Sequence, residues 1–237
     1  MNSKLICKTK KIFLAGHTGL VGQGFMRRFV AEGQQALILR SHKQVNLANQ
    51  TEAESIFKDE VPDRVIIAAG KVGGIHANTV YPAEFIYQNL MITTNIIHQA
   101  WTHEVQDLLF FGSTCMYPLE CLQPMREESL LTGSIESSNE AYALAKLTGW
   151  KLCESYNRQY GTKFRTILPS NLYGPHDNFH SQDSHVIPAL IQKLHWAKED
   201  QTREVDVWGS GKALREFLYV DDLIEACAYL DTYPEVL

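Results

Sequence analysis

Positive charge is the first thing this sequence has too little of. Its 22 lysines and arginines are outnumbered by 27 aspartates and glutamates, a formal net charge of −5. No bulk cationic field favours nucleic acid. Long apolar runs are missing too. None approaches the ~20 residues that span a bilayer, and the N-terminal MNSKLICKTKK has no apolar signal core. Cysteine is sparse: five residues, Cys7, Cys115, Cys121, Cys153 and Cys227, odd in number and without CxxC spacing. That argues against a disulfide framework and against a zinc site, and it suits reduced thiols in a cytoplasm. Internal repeats and low-complexity segments are also lacking. What remains is an ordinary globular composition, 45% hydrophobic and 21% charged over 237 residues, enough for one substantial core and part of a second.

Apolar runs alternate with helical periodicity along the first 169 residues. KIFLAG (11–16), QALILR (35–40), RVIIAAG (64–70), LLFFG (108–112) and FRTILP (164–169) read as strands. Helices are expected from Gly19 to Gly33, over 51–60 with Thr51 as N-cap and Glu54 completing a capping box, from Pro82 to about His103, and from Glu140 to Tyr160. Alternation of this kind predicts right-handed crossovers and an α/β fold, a Rossmann-type doubly wound parallel sheet. Beyond Pro169 the loops lengthen. A helix over about 185–199 precedes short strands near Val205–Trp208 and Glu216–Tyr219, and a further helix starts at Asp221 and Asp222. The division is therefore a nucleotide-binding domain over 1–169 and a partial, smaller substrate-binding region over 170–237, interleaved with the end of the first and laid over the sheet's carboxyl edge.

The first strand runs into Gly16-His17-Thr18-Gly19-Leu20-Val21-Gly22. Glycines at every third position permit a tight turn, close backbone approach to a pyrophosphate and tight helix packing. The second strand ends at Arg40, followed by Ser41, His42 and Lys43. An acid that would bind the 2′-hydroxyl of NAD is missing there, and the cationic cluster suits a 2′-phosphate, so the expected cofactor is NADP(H). An ordinary solvated loop is the competing reading of Arg40 and Lys43. Asn46 and Leu47 are placed beside the adenine, and Ala68, Ala69 and Gly70 end the third strand against the cofactor. Tyr142 and Lys146 lie four apart on one helix face, downstream of Ser113 at a strand exit. A phenol of ordinary pKa ~10 is a poor proton carrier at neutral pH unless its anion is stabilised. A lysine ammonium does that, and a serine hydroxyl holds the substrate oxygen. A surface helix pair is the plain alternative for a tyrosine and lysine at this spacing.

Glycine turn, strand-end serine and tyrosine–lysine pair, in this order, resemble the extended short-chain dehydrogenase/reductases, the NAD(P)-dependent sugar epimerases and dehydratases. Residues 69–75, 85–98, 112–118, 139–146, 171–179, 184–190 and 208–222 are similar to one subfamily, the 3,5-epimerase and 4-reductase enzymes of GDP-4-keto-6-deoxy-mannose. The resemblance implies roles. Cys115 is the epimerisation base and His185 the matching acid; Tyr142 donates the C4 proton, Lys146 supports it and binds the nicotinamide ribose, and Ser113 orients the ketone. Pro169, Asn171, Leu172 and His185 border the cofactor, while Asn171, Lys193, Trp208 and Arg215 contact substrate. No metal is implied. The expected partners are a nucleotide sugar and a second copy of the chain, the helices over 82–103 and 140–160 pairing across a two-fold with Ile86, Ile92, Ile96 and Trp150 as candidate contributors or intrachain core. Three departures stand out: Thr18 where the family often has arginine, Asn49 where it often has aspartate, and Lys193 where arginine is usual. Family members also continue further, so the chain reads as C-terminally truncated. A different nucleotide sugar, or a non-catalytic NADP-binding subunit, are the alternatives.

Overall fold

The computed structural model describes residues 10–180, 184–207 and 209–233. Five parallel strands form its centre: β1 (Ile12–Ala15), β2 (Leu37–Ile38), β3 (Arg64–Ile67), β4 (Asp107–Phe111) and β5 (Lys163–Ile167), in the spatial order β2-β1-β3-β4-β5. Every residue of β1 and β3 is buried. This is why these strands read as continuous apolar runs: a parallel sheet is covered on both faces. Phe13, Ala15, Val65, Ile67, Leu108 and Phe110 face one core with Ile56, Phe57, Ile96, Ile97 and Cys153. Ile12, Leu14, Ile66, Leu109 and Phe111 face the other with Phe25, Phe29, Leu223, Ile224 and Cys227. The first face is therefore covered by α2 (Gln50–Glu60), α4 (Pro82–Thr102) and α5 (Glu140–Tyr160), the second by α1 (Leu20–Glu32) and α7 (Val220–Asp231).

Local chemistry sets most of the boundaries. Gly33 ends α1 and Gly161 ends α5, both at φ 71°, the left-handed region that glycine enters without a Cβ penalty. Pro82 opens α4. Other expectations are corrected. The cap of α2 is Asn49, whose Oδ1 accepts from the Thr51 and Glu52 amides at 3.0 and 3.2 Å. Thr51 lies inside the first turn, and Glu54 pairs with Lys58 one turn later at 2.6 Å. The second strand is two residues long, because it sits at the sheet edge and pairs only with Ile12 and Phe13. A short helix, α3 (Ile75–Val80), and a strand, β6 (Asn171–Tyr173), escape the sequence reading. β6 pairs in parallel with β7 (Phe217–Tyr219) as a separate two-stranded sheet, so Asn171 opens a new strand rather than closing β5. Residues 205–207 form no strand. The predicted helix near 185–199 is present as α6 (Val186–Glu199). Of the residues held open between interface and intrachain core, Ile96 is fully buried in the core, and Ile92 and Trp150 pack inward.

α7 returns to the nucleotide-binding body. It lies so close to α1 that a Cβ on Gly24 would stand 2.9 Å from the Ile224 side chain and 3.2 Å from that of Val220. Its last residue, Asp231, is held at the amino end of the sheet. Arg64, whose side chain is 2% exposed, donates to it through two nitrogens at 2.7 and 3.0 Å. Arg165 joins the same carboxylate at 2.7 Å and Asp107 at 2.7 Å, and Arg64 Nε lies 3.3 Å from Asp107. Two guanidinium groups and two carboxylates thus tie β3, β4, β5 and α7 together. Removing one member strands a buried cation. Asp231→Ala is expected to lower stability by about 3–5 kcal/mol, whereas Glu154→Ala, which breaks the exposed Lys151–Glu154 pair, costs at most ~1 kcal/mol. Urea unfolding of both variants checks the contrast.

Candidate active site

The site is built where the parallel strands end. After Ala15 the chain turns at Gly16, φ 85°, and a Cβ there would lie 2.5 Å from the Ala69 amide nitrogen and 2.6 Å from the Ala68 carbonyl carbon. The turn after β1 is therefore seated directly on the chain leaving β3, between the two strands where the winding reverses and where such sheets bind ligands. The opposite side is open. A Cβ on Gly19 would find only the Gly16 oxygen, at 3.7 Å, and Thr18 and Gly19 are exposed. Gly19 caps α1 without a side chain, and the first turn carries no acid. The amides of Leu20, Val21 and Gly22 are thus presented without a competing carboxylate, at the positive end of a 13-residue helix. Gln23 braces the turn by donating to the His17 carbonyl at 2.8 Å. A helix start with no side-chain cap, above an exposed glycine turn, fits a dinucleotide pyrophosphate.

Around this cradle the predicted cofactor residues are placed as follows. Ala68 donates to the Ala15 carbonyl at 2.9 Å, continuing the ladder. Leu47 is buried, and its carbonyl accepts from Asn95 Nδ2 at 3.0 Å. The Asn46 amide donates to Glu52 at 2.7 Å, and its side chain accepts from Ala48 at 3.1 Å. Arg40 is partly exposed; its guanidinium is ion-paired with Glu60 at the end of α2 and donates to the Leu39 carbonyl at 3.0 Å.

The chemical groups gather at the exit of β4. Ser113, in extended backbone, caps a single 3₁₀ turn over Thr114–Met116, its Oγ accepting from the Cys115 amide at 3.3 Å. Hydroxyl and thiol are therefore two residues apart on one rigid turn. On α5, Lys146 Nζ donates to the Phe111 carbonyl at 2.7 Å, lies 5.6 Å from the Tyr142 ring centroid, and is 6% exposed. That hydrogen bond ties the helix to the strand that delivers Ser113. Burial pushes Lys146 down to about 8, opposed by negative charge at Cys115. Burial pushes the Tyr142 phenol well above its ordinary value, and Cys115 charge adds to the rise. Both shifts place the thiol in electrostatic reach of the tyrosine and the lysine. Cys153 and Cys227 are different: burial raises each to about 12, so neither is a nucleophile at neutral pH.

The structure brings Ser113, Cys115, Tyr142 and Lys146 together. His185 is exposed at the N-terminus of α6, near Asp177, whose carboxyl is raised by burial and lowered by His185. Among the described residues no hydrogen bond joins His185 to the Cys115–Tyr142 group. Pro169 is half-buried in the loop between β5 and β6. Asn171 Nδ2 donates to the Glu216 carbonyl at 3.0 Å across the small sheet, and Leu172 packs on the α1–α7 core. Lys193 Nζ donates to the Asp206 carbonyl at 3.1 Å, and exposed Arg215 donates to the Leu214 carbonyl at 2.7 Å. Trp208 lies outside the described residues. Sequence reasoning missed Glu60, Phe85, Asn89 and Asp177. Phe85 packs edge-on to Tyr142, ring centroids 6.5 Å apart, and Asn89 is a 2%-exposed amide in an apolar helix; a polar residue inside FIYQNLMI was the available signal.

Comparison with known proteins fits this geometry. The pattern that defines the NAD dependent epimerase/dehydratase family matches residues 12–235. GDP-L-fucose synthase 1 of Arabidopsis thaliana is 51% identical over 228 residues, covering 96% of this chain and 71% of that protein. GDP-L-fucose synthase of Escherichia coli strain K12 is 51% identical over 221 residues, covering 93% of this chain and 69% of that protein. Among solved structures, a GDP-L-fucose synthetase from Naegleria fowleri bound to NADP superposes with a TM-score of 0.87 at 31% identity, covering 95% of this chain and 74% of that one.

The buried lysine gives a measurable signature. Lys146 is expected to release its proton near pH 8, far below the ordinary lysine value of ~10.4. Side-chain NMR titration of labelled protein, with Lys146→Met identifying the resonance, reads it directly. Replacing Cys115 by alanine removes the opposing negative charge and is expected to move that value lower still.

Proposed function

The chain belongs to the NAD dependent epimerase/dehydratase family, and from that premise we propose that it inverts C3 and C5 of GDP-4-keto-6-deoxy-mannose and reduces C4 with NADPH, giving GDP-L-fucose. The observation that carries this reading is the Ser113–Cys115 turn, set against Tyr142 and Lys146 at the carboxyl edge of the sheet. A reductase alone needs the serine, tyrosine and lysine. The thiol beside them serves a second proton transfer.

A 4-keto sugar is acidic at C3 and C5, because the carbonyl takes up the charge left by either proton. Ser113 Oγ donates to the keto oxygen and strengthens that effect. Cys115, as thiolate, removes the proton from one face; the C–H pair becomes the enolate, and the proton moves to sulfur. His185 returns a proton to the other face as the enolate collapses, inverting the centre. Histidine suits this role because it exchanges protons near neutrality. When bound, NADPH supplies the hydride that C4 accepts. Tyr142 then gives its phenolic proton to the C4 oxygen. Its raised pKa keeps that proton in place until the oxygen becomes basic, and the Lys146 ammonium steadies the phenolate left behind. The Gly16–Gly22 turn holds the pyrophosphate, while Arg40 and Lys43 take the 2′-phosphate. Residues 170–237 form the start of the substrate-binding region, with Asn171, Lys193, Trp208 and Arg215 on the nucleotide sugar.

The assembly is read as a homodimer in the cytoplasm. α4 and α5 pack on each other and leave Tyr87 and Leu144, 62% and 40% exposed, for a partner copy to cover. No described helix is long and apolar enough to cross a membrane.

Two measurements test the reading. In deuterated buffer, Cys115→Ser is expected to lose deuterium incorporation at C3 and C5, since a serine hydroxyl is hardly ionised at neutral pH. Tyr142→Phe keeps that exchange while NADPH oxidation falls roughly a hundredfold to ten-thousandfold. Wild-type exchange in Cys115→Ser would remove the thiol from the mechanism. For the cofactor, fluorescence titration is expected to favour NADPH over NADH. Arg40→Ala narrows that preference, and Glu60→Gln, which releases Arg40 from its carboxylate, widens it. Equal affinity for both cofactors in the wild type would sink the NADP assignment.

A further inference from the structure

The loop leaving β3 is held by a side chain that neither touches the cradle nor belongs to the catalytic group. Asn89 lies on the second turn of α4, 2% exposed. Its Oδ1 accepts from the Lys71 amide at 2.9 Å, and its Nδ2 donates to the Lys71 carbonyl at 3.0 Å. The same Nδ2 donates to the Phe85 carbonyl one helical turn back, at 2.7 Å. One carboxamide thus reads both backbone groups of Lys71, as a neighbouring strand would, where β3 has no strand partner left. Only an amide carries an acceptor and two donors on so short a stem. The fit is close: a Cβ on Gly70 would stand 2.7 Å from Asn89 Oδ1.

Two functional surfaces meet at this clamp. On one side, Ala68 and Ala69 precede it directly, and their backbone is the seat of the Gly16 turn. On the other, Phe85 backs the Tyr142 ring edge-on, and Lys71 Nζ lies 5.5 Å from the Phe85 centroid and ion-pairs with Glu84. We propose that Asn89 is a positioning residue: by pinning Lys71 to α4 it sets the height of the Ala68–Gly70 wall against the nucleotide cradle and holds Phe85 behind the proton donor. The proposal rests on the dinucleotide reading of that cradle. It assigns Asn89 no contact with cofactor or sugar.

The test is a double-mutant cycle on cofactor binding, read by fluorescence titration with NADPH and no sugar present. Asn89→Ala loses these three hydrogen bonds and is expected to weaken NADPH about tenfold. Amide hydrogen exchange is expected to rise over residues 68–74 and not over β1. Gly70→Ala attacks the same contact from the loop and keeps Asn89, so it serves even where Asn89→Ala fails to fold. It too is expected to weaken NADPH. In the double variant the Gly70→Ala clash has lost its partner atom, so binding is expected to be no weaker than in Asn89→Ala alone. A purely structural asparagine gives another pattern: a lowered Tm, NADPH affinity within twofold of wild type, and additive losses in the double variant. Either of the last two results overturns the proposal. Wild-type protein that binds no NADPH overturns the dinucleotide reading and this inference together. Wild-type protein that binds NADPH but leaves the sugar unchanged removes only the substrate assignment.

Discussion

A parallel sheet covered on both faces can present chemistry only at its ends, and in this chain one end is closed by charge. The Arg64–Asp107–Arg165–Asp231 group fills the amino edge and fastens α7 there. That fastening matters because α7, with α1, is the cover of the second face. Without it, Ile12, Leu14, Ile66, Leu109 and Phe111 would lose half of their enclosure, at roughly 25 cal/mol for each Å² of apolar surface rewetted. The carboxyl edge is left as the place where loops diverge, and it receives the glycine turn, the Ser113 turn and the open side of α5.

At that edge, burial acts in opposite directions on two neighbours. It disfavours charge on both Tyr142 and Lys146, so the phenol holds its proton more tightly and the ammonium less tightly. The pair is driven apart in proton affinity, whereas free tyrosine and lysine are nearly matched in water. A negative thiolate beside them favours the protonated form of each. In the proposed chemistry, base and proton donor are linked electrostatically, because negative charge on Cys115 favours the protonated forms of Tyr142 and Lys146. A single turn of chain carrying hydroxyl and thiol makes that linkage geometric as well.

What was legible in the sequence was what local chemistry decides. The helix expected near Glu140–Tyr160 is present, and its end at Tyr160 is fixed by the left-handed stop at Gly161. Gly16, Gly19 and Gly22 announced the cradle by their spacing; only Gly22 is required by a contact within a few residues, the Gly16 oxygen, while Gly16 is required by the Ala68–Ala69 backbone beyond β3. The capping error at Thr51 came from a local tie: Asn49 is an equally good cap and lies one residue before the helix. Contacts between distant segments were not legible. Arg40 and Glu60 are 20 residues apart, Asn89 and Lys71 18, Arg64 and Asp231 167. No periodicity encodes which of several carboxylates a guanidinium will meet once crossovers have folded. β6, three residues long, is too short for alternation to register, whereas its partner β7 lies where a strand near Glu216–Tyr219 was expected.

The pairing of Arg40 with Glu60 bears on how a cofactor charge is admitted. Both side chains are about a third exposed, 34% and 31%, and a solvent-screened pair of this kind contributes ~0–1 kcal/mol. A phosphate monoester carries about −1.5 to −2 charge and three acceptor oxygens, and a guanidinium fork meets it through two nitrogens. If Arg40 takes the 2′-phosphate as proposed, so weak a pair with Glu60 leaves the exchange of carboxylate for phosphate open, and Glu60 acts as a placeholder rather than a lock. The same carboxylate repels the phosphate once Arg40 has left it. On that proposal, selectivity for the phosphorylated dinucleotide is the difference between a fork gained and a nearby negative charge endured, set jointly by a residue visible at the end of the second strand and one that only the fold brings beside it.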